Sequence, residues 1–160
     1  MILDKVSADK KLRRMALEVA ERNFDKSSLI LIGIRENGIH IARKIGAYLQ
    51  ENFPGNIEVL ELRLDKKDPG EIKLSADHDF NGKSILLIDD VANSGRTMLY
   101  ALKPLLQYKP SQIETLALVE RTHKKFPVSI DYVGMSISTG LQEHIVVDVE
   151  NGEITGARFG

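Results

Sequence analysis

The sequence predicts an α/β protein, built as a mostly parallel, doubly wound sheet flanked by helices. Three observations lead there. Leu29–Ile32 and Ile85–Ile88 are uninterrupted apolar runs, as expected of strands buried on both faces. Each run is followed by a loop of small and polar residues and then by apolar positions at helical spacing. Further strand-like segments follow downstream, so strands and helices alternate, and that order favours parallel crossovers.

In chain order, Ser7 is expected to cap a helix running to about Asn23, with Leu12, Met15, Ala16, Val19 and Ala20 as its apolar face. Arg13, Arg14 and Arg22 read as its solvated side. Leu29–Ile32 is the first buried strand and Gly33–Gly38 the loop after it. The next helix turns Ile41, Ala42, Ile45, Tyr48 and Leu49 inward. Phe53–Asn56 reads as a turn and Ile57–Leu62 as a strand. From about Asp65 to Lys83 the chain is polar; composition fits a mobile lid and an exposed hairpin equally.

Asn81-Gly82-Lys83 signals a turn before Ile85–Ile88. Met98, Ala101, Leu102, Leu105 and Leu106 share one helical face, although Pro104 should bend or end that helix. Tyr108-Lys109-Pro110 closes the element. Ile113–Val119, Ile130–Met135 and Ile145–Val149 read as strands. Glu120–Lys125 is a polar cluster after the first of these and Ser136–Gln142 a loop, while the last ten residues carry little pattern.

Composition sets limits. A chain of 160 residues holds one domain with a proper core. Hydrophobic residues make up 42% and charged residues 28%, and the net charge of −1 gives no global reason to bind nucleic acid or an anionic membrane. No apolar run approaches a membrane span, and Met1-Ile2-Leu3-Asp4 does not read as a signal peptide. Without cysteine there is no disulfide framework and no thiolate metal site; a cytoplasmic protein is expected.

Ile85–Thr97 carries the chemistry. It runs from a buried strand through Asp89 and Asp90 into the small polar loop Asn93-Ser94-Gly95-Arg96-Thr97 and then a helix. In an open parallel sheet, ligands bind beyond the carboxyl ends of the strands. A loop entering a helix offers unpaired N–H groups to a phosphate. Gly95 permits close backbone approach, and Ser94 and Thr97 add hydroxyls. Two carboxylates would repel a phosphate, so they suit sugar hydroxyls or a Mg²⁺ ion instead. Gly33 and Gly38 have the spacing of an ATP-type phosphate loop, but Ile39-His40 stands where that loop needs Lys and Ser or Thr. The same spacing fails the dinucleotide fingerprint. A receiver-type phosphorylation switch would place its acidic pair after the first strand, where this chain has Gly33-Ile34. His78 and His144 have no partner at metal-ligand spacing.

The apolar run, two acids, aliphatic residue, short gap and Ser-Gly-Arg-Thr of Ile85–Thr97 resemble the 5-phosphoribosyl-1-diphosphate (PRPP) signature of type I phosphoribosyltransferases. The likeness extends over nearly the whole chain. It lies nearest the PyrR-like branch, pyrimidine-operon attenuators that are also uracil phosphoribosyltransferases. Ile2-Leu3-Asp4, Arg13-Arg14, Glu21-Arg22-Asn23, Pro110–Ile113, Val119–His123 and Asp131–Gly134 carry that nearer likeness. Three departures stand out. Arg35-Glu36-Asn37 replaces a Lys-Thr-Arg run, Met135–Gly140 lacks the branch's Lys and Pro, and the segment from Leu62 to Gly82 is shorter than the branch's lid.

The resemblance implies the type I phosphoribosyltransferase fold as a single domain over residues 1–160. It adds a mobile lid loop at about 64–80 and a small hood from the N-terminal segment and about 133–160. It implies that Asp89 and Asp90 are catalytic, binding the ribose hydroxyls and helping to place Mg²⁺. Asn93, Ser94, Gly95, Arg96 and Thr97 would take the 5′-phosphate, and Ile34, Arg35, Glu36, Asn37 and Gly38 the pyrophosphate. Val133, Gly134, Met135 and Ile137 would wall the base pocket. Both acids can serve only if the chain is already turning at Asp90, because successive strand side chains point to opposite faces. The implied ligands are PRPP, pyrophosphate, a nucleobase (uracil favoured) and its nucleoside monophosphate. A homodimer or larger assembly is expected and no membrane partner. RNA binding is possible through Lys10, Lys11, Arg13 and Arg14 but not favoured, since 22 basic residues face 23 acidic ones.

Overall fold

The structure is a computed structural model that describes residues 1–65, 67, 68, 70–138 and 143–160. Helix α1 spans Lys5–Arg22 and is capped by Asp4, whose carboxylate accepts the Ser7 N–H at 2.7 Å. Ser7 is therefore the donor in the first turn rather than the cap. That hydrogen bond holds the Asp4 carboxyl below its ordinary range. Strand β1 (Ser28–Ile34) leads into α2 (Gly38–Asn52), and β2 (Asn56–Leu64) turns back into the short β3 (Ile72–Leu74). Strand β4 (Ser84–Ala92) is buried at every position and enters α3 (Arg96–Ala101). Strands β5 (Gln112–Arg121) and β6 (Tyr132–Ile137) complete the sheet, and β7 (Ile145–Glu150) and β8 (Glu153–Phe159) form a separate hairpin.

The main sheet has the order β3-β2-β1-β4-β5-β6. All pairs are parallel except β2–β3. From β1 the chain winds outward to β2, and from β4 it winds the other way to β5. The β1/β4 boundary is therefore the topological switch point, where open α/β sheets bind ligands. Two cores flank the sheet. One gathers α1, α2 and the inner residues Ile145, Val147 and Ile154 of the β7–β8 hairpin. The other gathers Met98, Ala101 and Leu105 with Leu60, Leu62 and Phe80.

Several segments differ from the sequence-based expectation for identifiable reasons. Of the two readings of the polar stretch at 64–80, the hairpin is the one that forms: it contains β3, paired to β2 through Leu62–Leu74 and Leu64–Ile72. Three apolar side chains, Ile72, Leu74 and Phe80, dock on the second core and anchor an otherwise polar hairpin. The helix after the signature is only six residues long; a 3-10 turn at Lys103–Leu105 follows, with Pro104 in its first positions, as its missing N–H and fixed φ demand. The terminal residues form β8. Asn151 and Gly152 both have positive φ, at 52° and 79°, as a tight two-residue hairpin turn requires. Asn-Gly was the signal that would have revealed this strand.

The arginines of α1 are exposed but not idle. Arg13 pairs with Asp9 and lies 4.2 Å over the Tyr48 ring. Arg14 donates to the Val133 and Gly134 carbonyls at 3.1 and 2.9 Å, tying α1 to β6. Arg22 lies 4.9 Å over the ring of Tyr132, whose hydroxyl is pushed well above its usual pKa by burial and by the hydrogen bond to Glu114.

Candidate active site

The ends of β1 and β4 meet at the switch point, and glycine makes the meeting possible. Gly38 opens α2 directly against β4. A Cβ there would lie 2.8 Å from the Ile88 carbonyl oxygen and 3.3 Å from Asp89 Oδ1. Gly33 does the same for the other side of the loop, since its Cβ would meet the Ile39 backbone at 2.5 Å. The loop Arg35–Asn37 is thus held beside the Asp89 carboxylate. The Arg35–Glu36 peptide bond is cis. Asn37 does not cap α2 with its side chain; it donates to the Val147 carbonyl at 2.9 Å and so ties the loop to β7. Ile34 is part of β1 with its side chain in the core, so among the five expected pyrophosphate residues it offers backbone only.

Past Asp89, the backbone and side chains of 91–98 enclose a small cavity of about 60 Å³ that Asp89 also lines. Gly95 occupies the left-handed region at φ 89°, which a β-branched residue resists. The first intrahelical bond is Leu99 N–H to the Gly95 carbonyl at 3.0 Å, so the N–H groups of Thr97 and Met98 have no helical partner. Arg96 donates its N–H to Ser94 Oγ at 3.3 Å. With a helix of one and a half turns, little macrodipole is available, and the loop's own N–H and hydroxyl groups supply the positive character.

A buttress was not anticipated from the sequence. The Ser94 carbonyl accepts the N–H groups of Lys125 and Phe126 at 2.9 and 3.1 Å, so the segment after β5 fixes the back of the loop. Lys124 reaches Glu120 in a close ion pair and the Arg121 carbonyl at 3.1 Å. A cleft of about 340 Å³ beside the loop is lined by Asn93, Ser94, Arg121, His123, Lys124, Lys125, Glu143 and His144. Opposite it, Arg96 donates to the Lys67 carbonyl at 3.4 Å, bringing the β2–β3 hairpin tip to the edge of the phosphate loop.

Strand β4 runs on to Ala92, so the chain is not turning at Asp90, as simultaneous service by both acids would have required. The two carboxylates leave opposite faces of an extended strand. Each accepts the next residue's N–H at 2.8 Å, Asp89 from Asp90 and Asp90 from Val91. Both are almost fully buried, Asp89 2% exposed and Asp90 9%. Only Asp89 lines the phosphate-sized cavity.

The residues expected to wall the base pocket share one strand. Val133, Gly134, Met135 and Ile137 all lie within β6, where alternation sends Gly134 to the face opposite the other three. Gly134 packs on β5, where a Cβ would stand 2.4 Å from the Leu118 carbonyl. Met135 and Ile137 pack toward the core below the hairpin. The loop expected at Ser136–Gln142 begins only after Ile137, and Thr139–Gln142 lie outside the described residues.

A switch-point loop facing a carboxylate, next to a glycine-led loop whose Thr97 and Met98 N–H groups have no helical partner, forms a candidate anion site at the strand ends. The chain's affiliation follows from comparison with known proteins. Residues 1–151 match the phosphoribosyl transferase domain, and the chain belongs to that family. The pyrimidine operon regulatory protein of Lactococcus lactis subsp. lactis (strain IL1403) is 33% identical over 154 residues, covering 92% of this chain and 88% of its own. The bifunctional protein PyrR of Streptococcus uberis is 34% identical over the same shares. Among solved structures, the hypoxanthine phosphoribosyltransferase of Trypanosoma cruzi superposes with a TM-score of 0.83 at 15% identity, covering 99% of this chain and 94% of its own. The hypoxanthine-guanine phosphoribosyltransferase of Bacillus anthracis gives 0.75 at 19%, covering 99% and 96%. At such identities these two establish the fold alone.

Proposed function

We propose that this chain moves a 5-phosphoribosyl group from PRPP to a nucleobase nitrogen, with uracil the favoured acceptor, and releases pyrophosphate. One observation carries the proposal. The loop after β1 and the cradle after β4 converge on Asp89 at the switch point, leaving a phosphate-sized cavity on one side and the loop on the other. PRPP has a phosphate at one end, a pyrophosphate at the other and ribose hydroxyls between, and the three parts of the site take these in the same order.

In the transfer, the glycosidic bond to pyrophosphate breaks while positive charge builds at the ribose C1. Residues 93–97 anchor the 5′-phosphate through N–H and hydroxyl donors, fixing the sugar for attack. Asp89 accepts from ribose hydroxyls, and its negative charge lies where the oxocarbenium-like sugar is most positive. Asp90, on the opposite face of β4, reaches the site only through local adjustment of the strand end. Closure of the β2–β3 hairpin, whose tip already touches Arg96, would exclude water.

The donor set suits Mg²⁺. One buried carboxylate, Asp89, stands at the site with Asp90 next to it on the opposite face of β4, and the described residues offer no cluster of three or more His, Cys, Asp or Glu. Mg²⁺ usually keeps several waters and takes one or two carboxylates together with substrate oxygens, so Asp89 would hold it with substrate and water, joined by Asp90 only where the strand end adjusts. When bound, the ion supplies charge to the pyrophosphate oxygens.

Uracil is preferred over a purine for two reasons. The identified relatives include pyrimidine-operon proteins, and Asn93 occupies the position where purine enzymes of this family usually carry a third acid. A neutral amide cannot serve as the base that the third acid supplies in the purine enzymes; the N1 proton that uracil also loses would leave to an oxygen of the departing pyrophosphate. Product analysis with PRPP and each of uracil, hypoxanthine and guanine tests the proposal. Uridine monophosphate should form fastest, a faster purine reaction reverses the choice of base, and no turnover with any base removes the transferase.

The regulator alternative has its own test. The α1 arginines that could face RNA are already engaged by Asp9, Tyr48, Glu18 and the β6 carbonyls. Phosphate contacts supply much of RNA affinity, so weak, salt-sensitive binding without preference for a pyrimidine-operon leader is expected. A gel shift near physiological salt that finds tight, leader-specific binding would restore the regulator. A homodimer and a cytoplasmic location remain part of the proposal. Among the described residues no helix is long and apolar enough to cross a membrane.

A further inference from the structure

A second polar cleft, of about 470 Å³, opens along the Arg35–Asn37 loop. Its walls are His40 and Arg43 from α2, Glu61 and Arg63 from β2, and the hairpin turn Asn151–Gly152. We propose that Arg63 and Arg43, neither of them in the loop, carry the charge of the leaving pyrophosphate. This rests on the phosphoribosyl-transfer reading above and names the groups that complete that site.

Charge balance motivates the assignment. Pyrophosphate is a polyanion, and the loop meets it with Arg35 but also with Glu36, so the loop's side chains are neutral in sum. Any protein cation beyond Arg35 comes from neighbouring elements, in addition to the charge a bound Mg²⁺ would supply, and the sheet register brings one there. β2 runs beside β1 with Gly33 opposite Glu61 and Ile34 opposite Leu62. The pairing continues one step further, as the Arg35 N–H donates to the Leu62 carbonyl at 2.8 Å. Arg63 therefore leaves the sheet edge next to Arg35.

Glu61 spaces the two guanidinium groups. Its Oε1 lies 3.8 Å from Arg35 Nε and its Oε2 4.0 Å from an Arg63 terminal nitrogen. Both pairs sit at the outer limit of an ion pair, with the arginine side chains 43% and 60% exposed. Contacts so long and so wet hold little energy and yield readily to a stronger anion. Glu61 is itself fixed, because Ser75 clamps its backbone: the Glu61 N–H donates to Ser75 Oγ at 2.9 Å and the Ser75 N–H to the Glu61 carbonyl at 2.8 Å. From the other wall, His40 and Arg43 project at i, i+3 on one face of α2. Arg43 has no ion pair among the described residues. Planar guanidinium forks match phosphate oxygens in bidentate fashion, which a polyanion rewards.

Titration calorimetry separates this from a merely structural role, using PRPP, inorganic pyrophosphate and ribose 5-phosphate as three probes of the same protein in the presence of Mg²⁺. Arg63→Gln and Arg43→Gln should each weaken PRPP and pyrophosphate binding by about tenfold or more, as loss of a charge-assisted contact implies. Ribose 5-phosphate, which lacks the pyrophosphate, should bind as before, and Arg63→Lys should recover part of the loss. A double variant that keeps wild-type affinity for PRPP overturns the inference alone. So does an equal loss for ribose 5-phosphate, which would mark a structural role. A wild-type chain that binds neither PRPP nor ribose 5-phosphate overturns the transferase reading, and this inference with it.

Discussion

Gly38→Ala adds one methyl group at the point where α2 meets β4, and its effect can be worked from the contact distances. Gly38 does not have positive φ, so alanine fits the backbone and only the space decides. The new Cβ would stand 2.8 Å from the Ile88 carbonyl oxygen and 3.1 Å from Asp89 Cα. Ordinary contacts begin near ~3.5 Å, so α2 or the end of β4 must move by roughly 0.7 Å. Neither is free to do so. β4 is hydrogen-bonded on both sides, and α2 is packed through Ile41, Ala42 and Ile45 into the first core. Overpacking of this kind costs ~1–3 kcal/mol, against ~0.4–1 kcal/mol gained by removing a glycine from the unfolded chain. Net destabilisation of about 1–2 kcal/mol follows. The catalytic loss should be larger, because the displaced atoms are the loop and Asp89 themselves; a shift approaching 1 Å can cost ~100-fold in rate. Denaturant unfolding and kcat/KM with PRPP are the assays. Wild-type stability and wild-type kcat/KM together would refute the claim that close approach at Gly38 sets the site.

The remaining predictions concern other parts of the same machinery. Asp89→Asn and Asp90→Asn should each reduce PRPP binding or turnover by at least about tenfold, roughly 1.4 kcal/mol, with Asp89 the larger because it lines the phosphate cavity; a double variant with wild-type PRPP affinity by calorimetry would refute this. Gly95→Val should leave circular dichroism intact and abolish ribose 5-phosphate binding, since valine resists the φ of 89° found there; a folded variant that binds normally would remove the cradle. Tyr48→Phe should cost about 1 kcal/mol in thermal unfolding and change the acid limb of stability. Burial opposes ionisation of Asp9, but hydrogen bonds from Tyr48 and Arg13 outweigh it and hold its pKa below the ordinary value. A depressed folded-state pKa gives stability that is present above the unfolded pKa and lost as pH falls through the folded one. Removing the Tyr48 hydroxyl should therefore narrow the acid window in which that stability decays. The Tyr48 hydroxyl is itself pushed up to about 12, through burial first and its bond to Asp9 second, so it stays protonated throughout that range.

Much of this molecule could be read from the chain alone. Leu29–Ile32 and Ile85–Ile88 announced buried parallel strands, because only a strand covered on both faces dispenses with alternation. The residues from Asp89 to Thr97 marked the candidate site, because backbone N–H groups, small side chains and paired acids follow one another within a few residues. What those segments share is that their chemistry is local. Elements anchored by a few scattered apolar residues were less legible. Ile72, Leu74 and Phe80 fold a polar stretch into a hairpin only because the second core offers them a surface. Strand β8 hid behind a composition without pattern, although its Asn-Gly turn was present in the sequence.

Relations across the sheet could not be read at all. That β2 lies beside β1, placing Arg63 next to Arg35, depends on pairing between residues far apart in sequence. The Ser94 carbonyl bound by Lys125 and Phe126, and the carbonyls of β6 held by Arg14, have the same origin. Side chains taken for solvated charge acquired partners when strand order and helix packing brought distant segments together. Local sequence fixes which groups are available, and long-range packing decides which of them meet.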